Sequence, residues 1–237
     1  MRYVSFSGGA DSTAMAILLQ QQGVEFELLM ADTGAELPET YWFATEAAKK
    51  MGVKLNIVGN NSFYLWFVQY GYMVPSVRIR WCTRALKRKP LDSFYQEDDI
   101  GYIGIRAEEA HRAKVRAHYK IEYPLIEAGM EKKDVLKLCR DHDLLNPCYD
   151  WRTNCSCFCC PFQRKGDWRG LAKYHPNLYR LAEQWEEASV HYAKQRGQTE
   201  FRWNQNYTLK ALREATENQV DMFRDCEAEA CLICQHS

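Results

Sequence analysis

A chain of 237 residues with 46% hydrophobic content can bury a sizeable core and suits one large α/β domain with an extension. Its 31 basic residues balance its 31 acidic ones, which excludes the global field of a general nucleic-acid binder. No apolar run reaches the roughly 18 residues of a membrane span, and Met1–Phe6 leads into a strand rather than a signal peptide. The expected location is cytoplasmic, where ten cysteines stay reduced unless they bind metal or do redox work.

The first element is a strand over Tyr3–Phe6, followed by a Ser/Gly-rich turn and an apolar helix running to about Gln22. Residues Ser5 to Ser12 read S-F-S-G-G-A-D-S. A strand that feeds such a turn and opens a helix is a place to hold phosphate, since glycines admit an anion, exposed N–H groups point at it and the helix dipole favours it. Ser7, Gly8, Gly9, Ala10, Asp11 and Ser12 are the candidate contacts, with Ser7 and Ser12 adding hydroxyl donors. The loop lacks the lysine of G-x-x-x-x-G-K-[ST] and the spacing of G-x-G-x-x-G. Asp11 suits Mg²⁺ bridging the phosphates and equally suits capping the helix.

A second strand is expected at Phe26–Ala31, then a helix at Glu39–Met51 and a strand at Lys54–Val58. The run Phe63–Phe67 reads as helix core, and Ile100–Ile105 as another buried strand. This alternation predicts a doubly wound, mostly parallel sheet covered on both faces. Ligands then bind beyond the carboxyl ends of the strands, where the Ser7–Ser12 loop, Asp32, Thr33 and Arg106 fall. Asp32 reads as an acceptor for ribose or adenine, or as a turn-forming Asx residue. Arg80, Arg84, Lys87, Arg88 and Lys89 make a basic cluster around Cys82, and Arg106 offers a bidentate oxyanion contact.

After Pro124 the pattern changes, which predicts a nucleotide domain over 1–125 and a Cys-rich helical extension over 126–237. Helices are expected at Lys132–Cys139, near Asn177–Val190 and at Tyr207–Asn218, with a loop from Asp141 to Phe162. That loop holds Cys148, Cys155, Cys157, Cys159 and Cys160, five cysteines within thirteen residues. Such density exceeds what packing needs, and Cys157-x-x-Cys160-Pro161 can aim two sulfurs at one centre, zinc and an iron–sulfur cluster both suiting the ligand type. A last group, Cys226, Cys231 and Cys234, ends the chain and reads as a redox pair, a zinc knot or an inert tail.

The S-G-G-x-D-S sequence matches the pyrophosphate loop of the PP-loop ATP pyrophosphatases. With Asp32–Thr40, Arg80-Trp81-Cys82-Thr83-Arg84, Gly104-Ile105-Arg106 and Tyr123-Pro124-Leu125 in that order, the chain resembles the phosphoadenosine-phosphosulfate (PAPS) reductase family of that superfamily. The resemblance implies an adenine nucleotide alpha-hydrolase-like fold, with Arg84 and Lys87 at the anionic substrate. It favours a [4Fe-4S] cluster on Cys82, Cys157 and Cys160, although Trp81 replaces one member of the family's early cysteine pair. Cys159, Cys155 or Cys148 would supply the fourth ligand, with zinc as the alternative metal. Glu229-Ala-Cys231-Leu-Ile-Cys234-Gln-His236 echoes the family's reactive tail, which lacks here its Gly; Cys231 or Cys234 would then be catalytic, with Asp11, and a thioredoxin-like reductant would release it.

The implied activity is ATP- and Mg²⁺-dependent adenylation of a substrate followed by cluster- or Cys-mediated sulfur transfer, with a nucleic acid as one candidate acceptor. The alternative is reduction of PAPS or adenylyl sulfate to sulfite by a tail thiolate. A non-catalytic zinc- and nucleotide-binding module is the reading from another class. No membrane partner is expected, and a homo-oligomer is compatible with the chain.

Overall fold

Five short strands build the sheet: β1 (Arg2–Ser5), β2 (Glu27–Ala31), β3 (Leu55–Val58), β4 (Ile100–Tyr102) and β5 (Lys120–Glu122). The computed structural model describes residues 1–59, 62–113 and 117–217. The strand order is β3-β2-β1-β4-β5 and each neighbouring pair is parallel, so the doubly wound parallel sheet expected from the sequence is present. Val4 at the centre lies opposite Leu28 on one side and Tyr102 on the other. The order reverses between β1 and β4, and the loops leaving those two strands therefore flank a crevice.

Helices α1 (Ala10–Gln21), α2 (Pro38–Met51), α3 (Phe63–Gln69), α4 (Lys89–Phe94), α5 (Pro124–Glu127) and α6 (Lys132–Asp141) complete this part, with a π-helical turn at Thr83–Arg88 leading into α4. α1 is apolar nearly all round because it is covered twice. Ala14, Met15 and Ile17 join the core of Val4, Leu28 and Met30, and α6 packs against α1 through buried Val135 and Cys139. α4 packs on β2 and β3. In α3, Phe63 and Phe67 are buried, whereas Tyr64 and Leu65 are 49% and 66% exposed; the aromatic run is core on one side only.

The expected β4 stops early, at Tyr102. Ile103 still donates to Glu122, but Ile105 donates back to Ile103 and the chain turns there. β5 and helix α7 (Lys165–Tyr174) have no counterpart among the expected elements. β5 has only three residues, and two glycines interrupt the apolar pattern of α7.

Residues 1–70 and 79–158 form one compact unit, and 71–78 with the chain from Cys159 onward form another. Residues 126–158, assigned to the extension by sequence, thus cluster with the sheet, because α6 lies on α1. The second unit contains α7, α8 (Pro176–Gln195) and a helix over 209–217, here α9. Its core centres on Trp168, Tyr179 and Trp203. Buried Glu186 accepts from the amides of Trp203 (3.1 Å) and Leu209 (2.7 Å), and buried Glu183 takes Arg213 in a fork at 3.0 Å on each arm. Tyr72 stacks on Tyr192 at 4.1 Å.

Candidate functional site

The turn from β1 to α1 is shaped by two glycines. Gly8 has φ +70°, the left-handed region that side chains avoid, and a Cβ there would lie 3.0 Å from Thr40 Cγ2. Gly104, in the loop after β4, lies so close to α1 that a Cβ would sit 3.0 Å from the Asp11 carbonyl oxygen and 3.2 Å from the Ser12 nitrogen. The two loops of the crevice therefore meet backbone to backbone. Ser12 braces the turn from within: its hydroxyl donates to Gly9 O at 2.9 Å and accepts from the Ser7 amide at 3.2 Å. Thr13 donates to the same carbonyl at 3.0 Å. Gly9, in extended backbone, caps α1 without a side-chain hydrogen bond.

A second layer, unforeseen in most of its members, holds this turn from the Cys-rich loop. Asn146 is 2% exposed. Its Nδ2 donates to Gly8 O at 3.0 Å and to Cys155 Sγ at 3.2 Å, while its Oδ1 accepts from the Cys148 amide at 3.0 Å. The Tyr149 hydroxyl accepts from the Ala10 amide at 2.9 Å and is also hydrogen-bonded by the Cys155 backbone; burial raises its pKa. Thr40 Oγ1 lies 3.3 Å from Cys155 Sγ. The Cys148 thiol hydrogen-bonds that same sulfur, which lowers the pKa of Cys155 against the opposing effect of burial and raises that of Cys148. Arg152 ties the intervening loop by donating to Ser156 O and Oγ at 3.1 and 2.9 Å. The result is a half-buried thiol fixed beside the turn.

Other expected residues converge on Glu36, which the sequence reading passed over. Thr33 donates to its carboxylate at 2.9 Å, the Cys157 thiol does so at 3.3 Å, and Lys87 pairs with it at 3.6 Å. Asp32 adopts the turn-forming role: its Oδ1 accepts from the Gly34 amide at 2.8 Å and from the Tyr41 hydroxyl at 2.6 Å. Arg84 donates to the Tyr70 hydroxyl at 3.2 Å. Arg106 pairs with Asp11 at 2.5 Å, Glu108 at 2.7 Å and Glu109 at 3.2 Å. Burial works against its charge, but the carboxylates of Asp11 and Glu108 prevail and raise its pKa. Asp11 stands in the first turn of α1, where one carboxylate suits Mg²⁺, an ion that takes its other ligands from phosphate and water.

The cysteines expected to hold a cluster or zinc lie in several elements. Cys82 precedes the π-helical turn, Cys157 faces Glu36, and Cys159 and Cys160 open the second unit. Among the described residues, no three His, Cys, Asp or Glu side chains form a group that could hold a metal ion. Cys226, Cys231 and Cys234 lie outside the described residues. No helix among the described residues is long and apolar enough to cross a membrane.

The profile of the phosphoadenosine phosphosulfate reductase domain family matches residues 2–149. An uncharacterized protein of Methanocaldococcus jannaschii, MJ0066, is 27% identical over 207 residues, covering 81% of this chain and 42% of that protein. The nin region protein ORF290 of Escherichia phage lambda is 29% identical over 167 residues, covering 56% of this chain and 57% of that protein. The chain thus spans less than two thirds of either relative. A crystal structure of phosphoadenylyl-sulfate (PAPS) reductase from Candida auris, in a phosphate complex, superposes with a TM-score of 0.49 at 16% identity, over 63% of this chain and 76% of that one.

Proposed function

We propose, for a chain that belongs to the phosphoadenosine phosphosulfate reductase domain family, that residues 7–12 bind the phosphates of ATP and that the enzyme adenylates a second substrate for sulfur transfer. The observation that carries this reading is the turn itself. Gly8 turns through positive φ, α1 opens directly after Gly9, and the order of the sheet reverses between β1 and β4, the strands whose loops flank the crevice. Asp11 would hold Mg²⁺, which neutralises charge on the departing pyrophosphate. The loop amides would bind that pyrophosphate, and Arg106 would keep the Asp11 carboxylate in place. Cys155 supplies a thiol beside the phosphates, so sulfur chemistry here needs only a side chain.

A second reading is favoured by the family match and the same thiol: reduction of PAPS or adenylyl sulfate with release of sulfite. The two readings separate by product. Pyrophosphate formed from ATP in the presence of an acceptor supports adenylation, whereas sulfite formed from PAPS or adenylyl sulfate with a thiol reductant overturns it in favour of reduction.

The nucleotide site itself is tested by Gly9→Val. A Cβ at residue 9 would lie 3.4 Å from Ser7 Oγ, 3.7 Å from the Tyr149 hydroxyl and 3.8 Å from Cys155 O, and the two valine methyls beyond it would crowd the turn proposed to hold phosphate. ATP affinity, measured by calorimetry on a variant shown by circular dichroism to be folded, should fall at least about tenfold, equivalent to about 1.4 kcal/mol. Unchanged affinity refutes the phosphate site.

A further inference from the structure

Cys148 and Cys155 are both thiols, seven positions apart, and they hydrogen-bond each other beneath the phosphate turn. They differ in access. Cys148 is completely buried in the short turn Pro147–Asp150, whereas Cys155 is half-buried, so only Cys155 can meet a reagent from solvent. They also share their supports with the turn. Asn146 holds Gly8 O, Cys155 Sγ and the Cys148 amide at once, and Tyr149 joins Ala10 to the Cys155 backbone. A change in the distance between the two sulfurs must therefore move groups that position the loop amides.

We propose that Cys148 and Cys155 form a reversible dithiol–disulfide site whose oxidation state sets the shape of the phosphate loop. The co-reactant is a disulfide, either of a small thiol such as glutathione or of a protein dithiol. The Cys155 thiolate attacks one sulfur of this disulfide, forming a mixed disulfide and releasing the first thiolate. Cys148 then loses its proton to the second departing thiolate and attacks Cys155 Sγ. Two protein thiols become one disulfide, and the co-reactant's disulfide becomes two thiols, so atoms and electrons balance. The order follows from access: the half-buried sulfur is attacked by or attacks the external reagent, and the buried neighbour resolves the adduct.

Bond formation brings the sulfurs to about 2.05 Å, well inside hydrogen-bonding separation. Asn146 Nδ2 then loses its sulfur acceptor, and the backbone at Cys155 shifts against Tyr149. The oxidised loop should hold nucleotide less tightly, by a factor on the order of ten, within the usual range of coupling between two sites. Coupling is reciprocal, so bound nucleotide should make the pair harder to oxidise by the same factor, a shift of about 30 mV for two electrons. Disulfide formation itself stands apart from the nucleotide reading; only this reciprocal shift rests on it.

The test equilibrates the full chain in glutathione redox buffers, alkylates remaining thiols and maps linked peptides by mass spectrometry. The expected product is a Cys148–Cys155 link, both alkylation sites vanishing together and Cys139 remaining a thiol. Cys148→Ser should stall with glutathione on Cys155, and Cys155→Ser should take up none at Cys148. Hydrogen exchange of the amides of residues 8–12 should be faster in the oxidised chain. Cys155 linked to any other cysteine, a stable glutathione adduct in the unmutated chain, or identical exchange in both states overturns the proposal. An altered exchange pattern with no effect of ATP on the midpoint supports the disulfide site and instead removes the ATP assignment.

Discussion

Asn146→Ala probes the joint between the Cys-rich loop and the phosphate turn. The side chain is 2% exposed and makes three hydrogen bonds, to Gly8 O at 3.0 Å, to Cys155 Sγ at 3.2 Å and from the Cys148 amide at 3.0 Å. Each such bond contributes about 1 kcal/mol net, and truncation also leaves a buried carbonyl and a buried amide without this partner, so the loss should total about 2–4 kcal/mol. For a chain of this size that lowers the melting temperature by roughly 4–16 °C. Thermal unfolding followed by circular dichroism measures it, and calorimetry on the folded variant should show weaker ATP binding because Gly8 has lost its anchor. Asn146→Asp sharpens the argument. Its carboxylate still accepts from the Cys148 amide but turns an oxygen toward Gly8 O and the Cys155 sulfur, where a donor is needed. It should be as destabilised as the alanine variant at neutral pH and partly recover as acid protonates the carboxylate. If Asn146→Ala melts within about 2 °C of the parent chain and binds ATP equally well, Asn146 does not hold the turn and the two-layer description of the site is wrong.

Gly8→Ala should destabilise by about 1–2 kcal/mol from left-handed backbone alone, with a further loss from the 3.0 Å approach to Thr40 Cγ2; an unchanged urea midpoint would show that the turn relaxes freely. Glu186 has its pKa raised from 4.5, chiefly by burial and against the two amides that donate to it. The folded chain then binds this proton more tightly than the unfolded one, so stability from this group is greatest below pH 4.5 and falls as pH rises toward the folded pKa. Glu186→Gln keeps one acceptor and should flatten that part of the stability–pH curve; a curve of unchanged slope sinks the assignment. Burial pushes the Cys139 thiol up to about 12, whereas Cys155 lies lower than an ordinary thiol. Iodoacetamide at neutral pH should therefore label Cys155 well before Cys139 in the folded chain, and equal rates would contradict that difference.

The parts of this protein legible in its sequence are those specified within a few neighbouring residues. S-F-S-G-G-A-D-S announces its turn because Gly8, Gly9 and the helix that follows act through local backbone geometry. α1 announces itself through an unbroken apolar run, and β1 to β3 and α2, α6 and α8 through apolar patterning, which short pieces such as β5 are too brief to display. The supports of the site carry no such local mark. Tyr149 meets Ala10 across 139 positions and Asn146 meets Gly8 across 138, and an Asn or Tyr in a polar loop looks the same wherever its partner lies. Glu36 reads as one acid in a turn until the chain returns Cys157 to it across 121 positions. The same limit applies to the cysteines between 148 and 160: spacing states how many sulfurs are available but not where each points. Packing α6 on α1 swings that loop under the phosphate turn, and this long-range burial of apolar surface decides that Cys155 faces Asn146 and Cys157 faces Glu36. Local backbone preference sufficed to write the turn into the sequence, while the chemistry placed around it depended on contacts that only the folded chain can make.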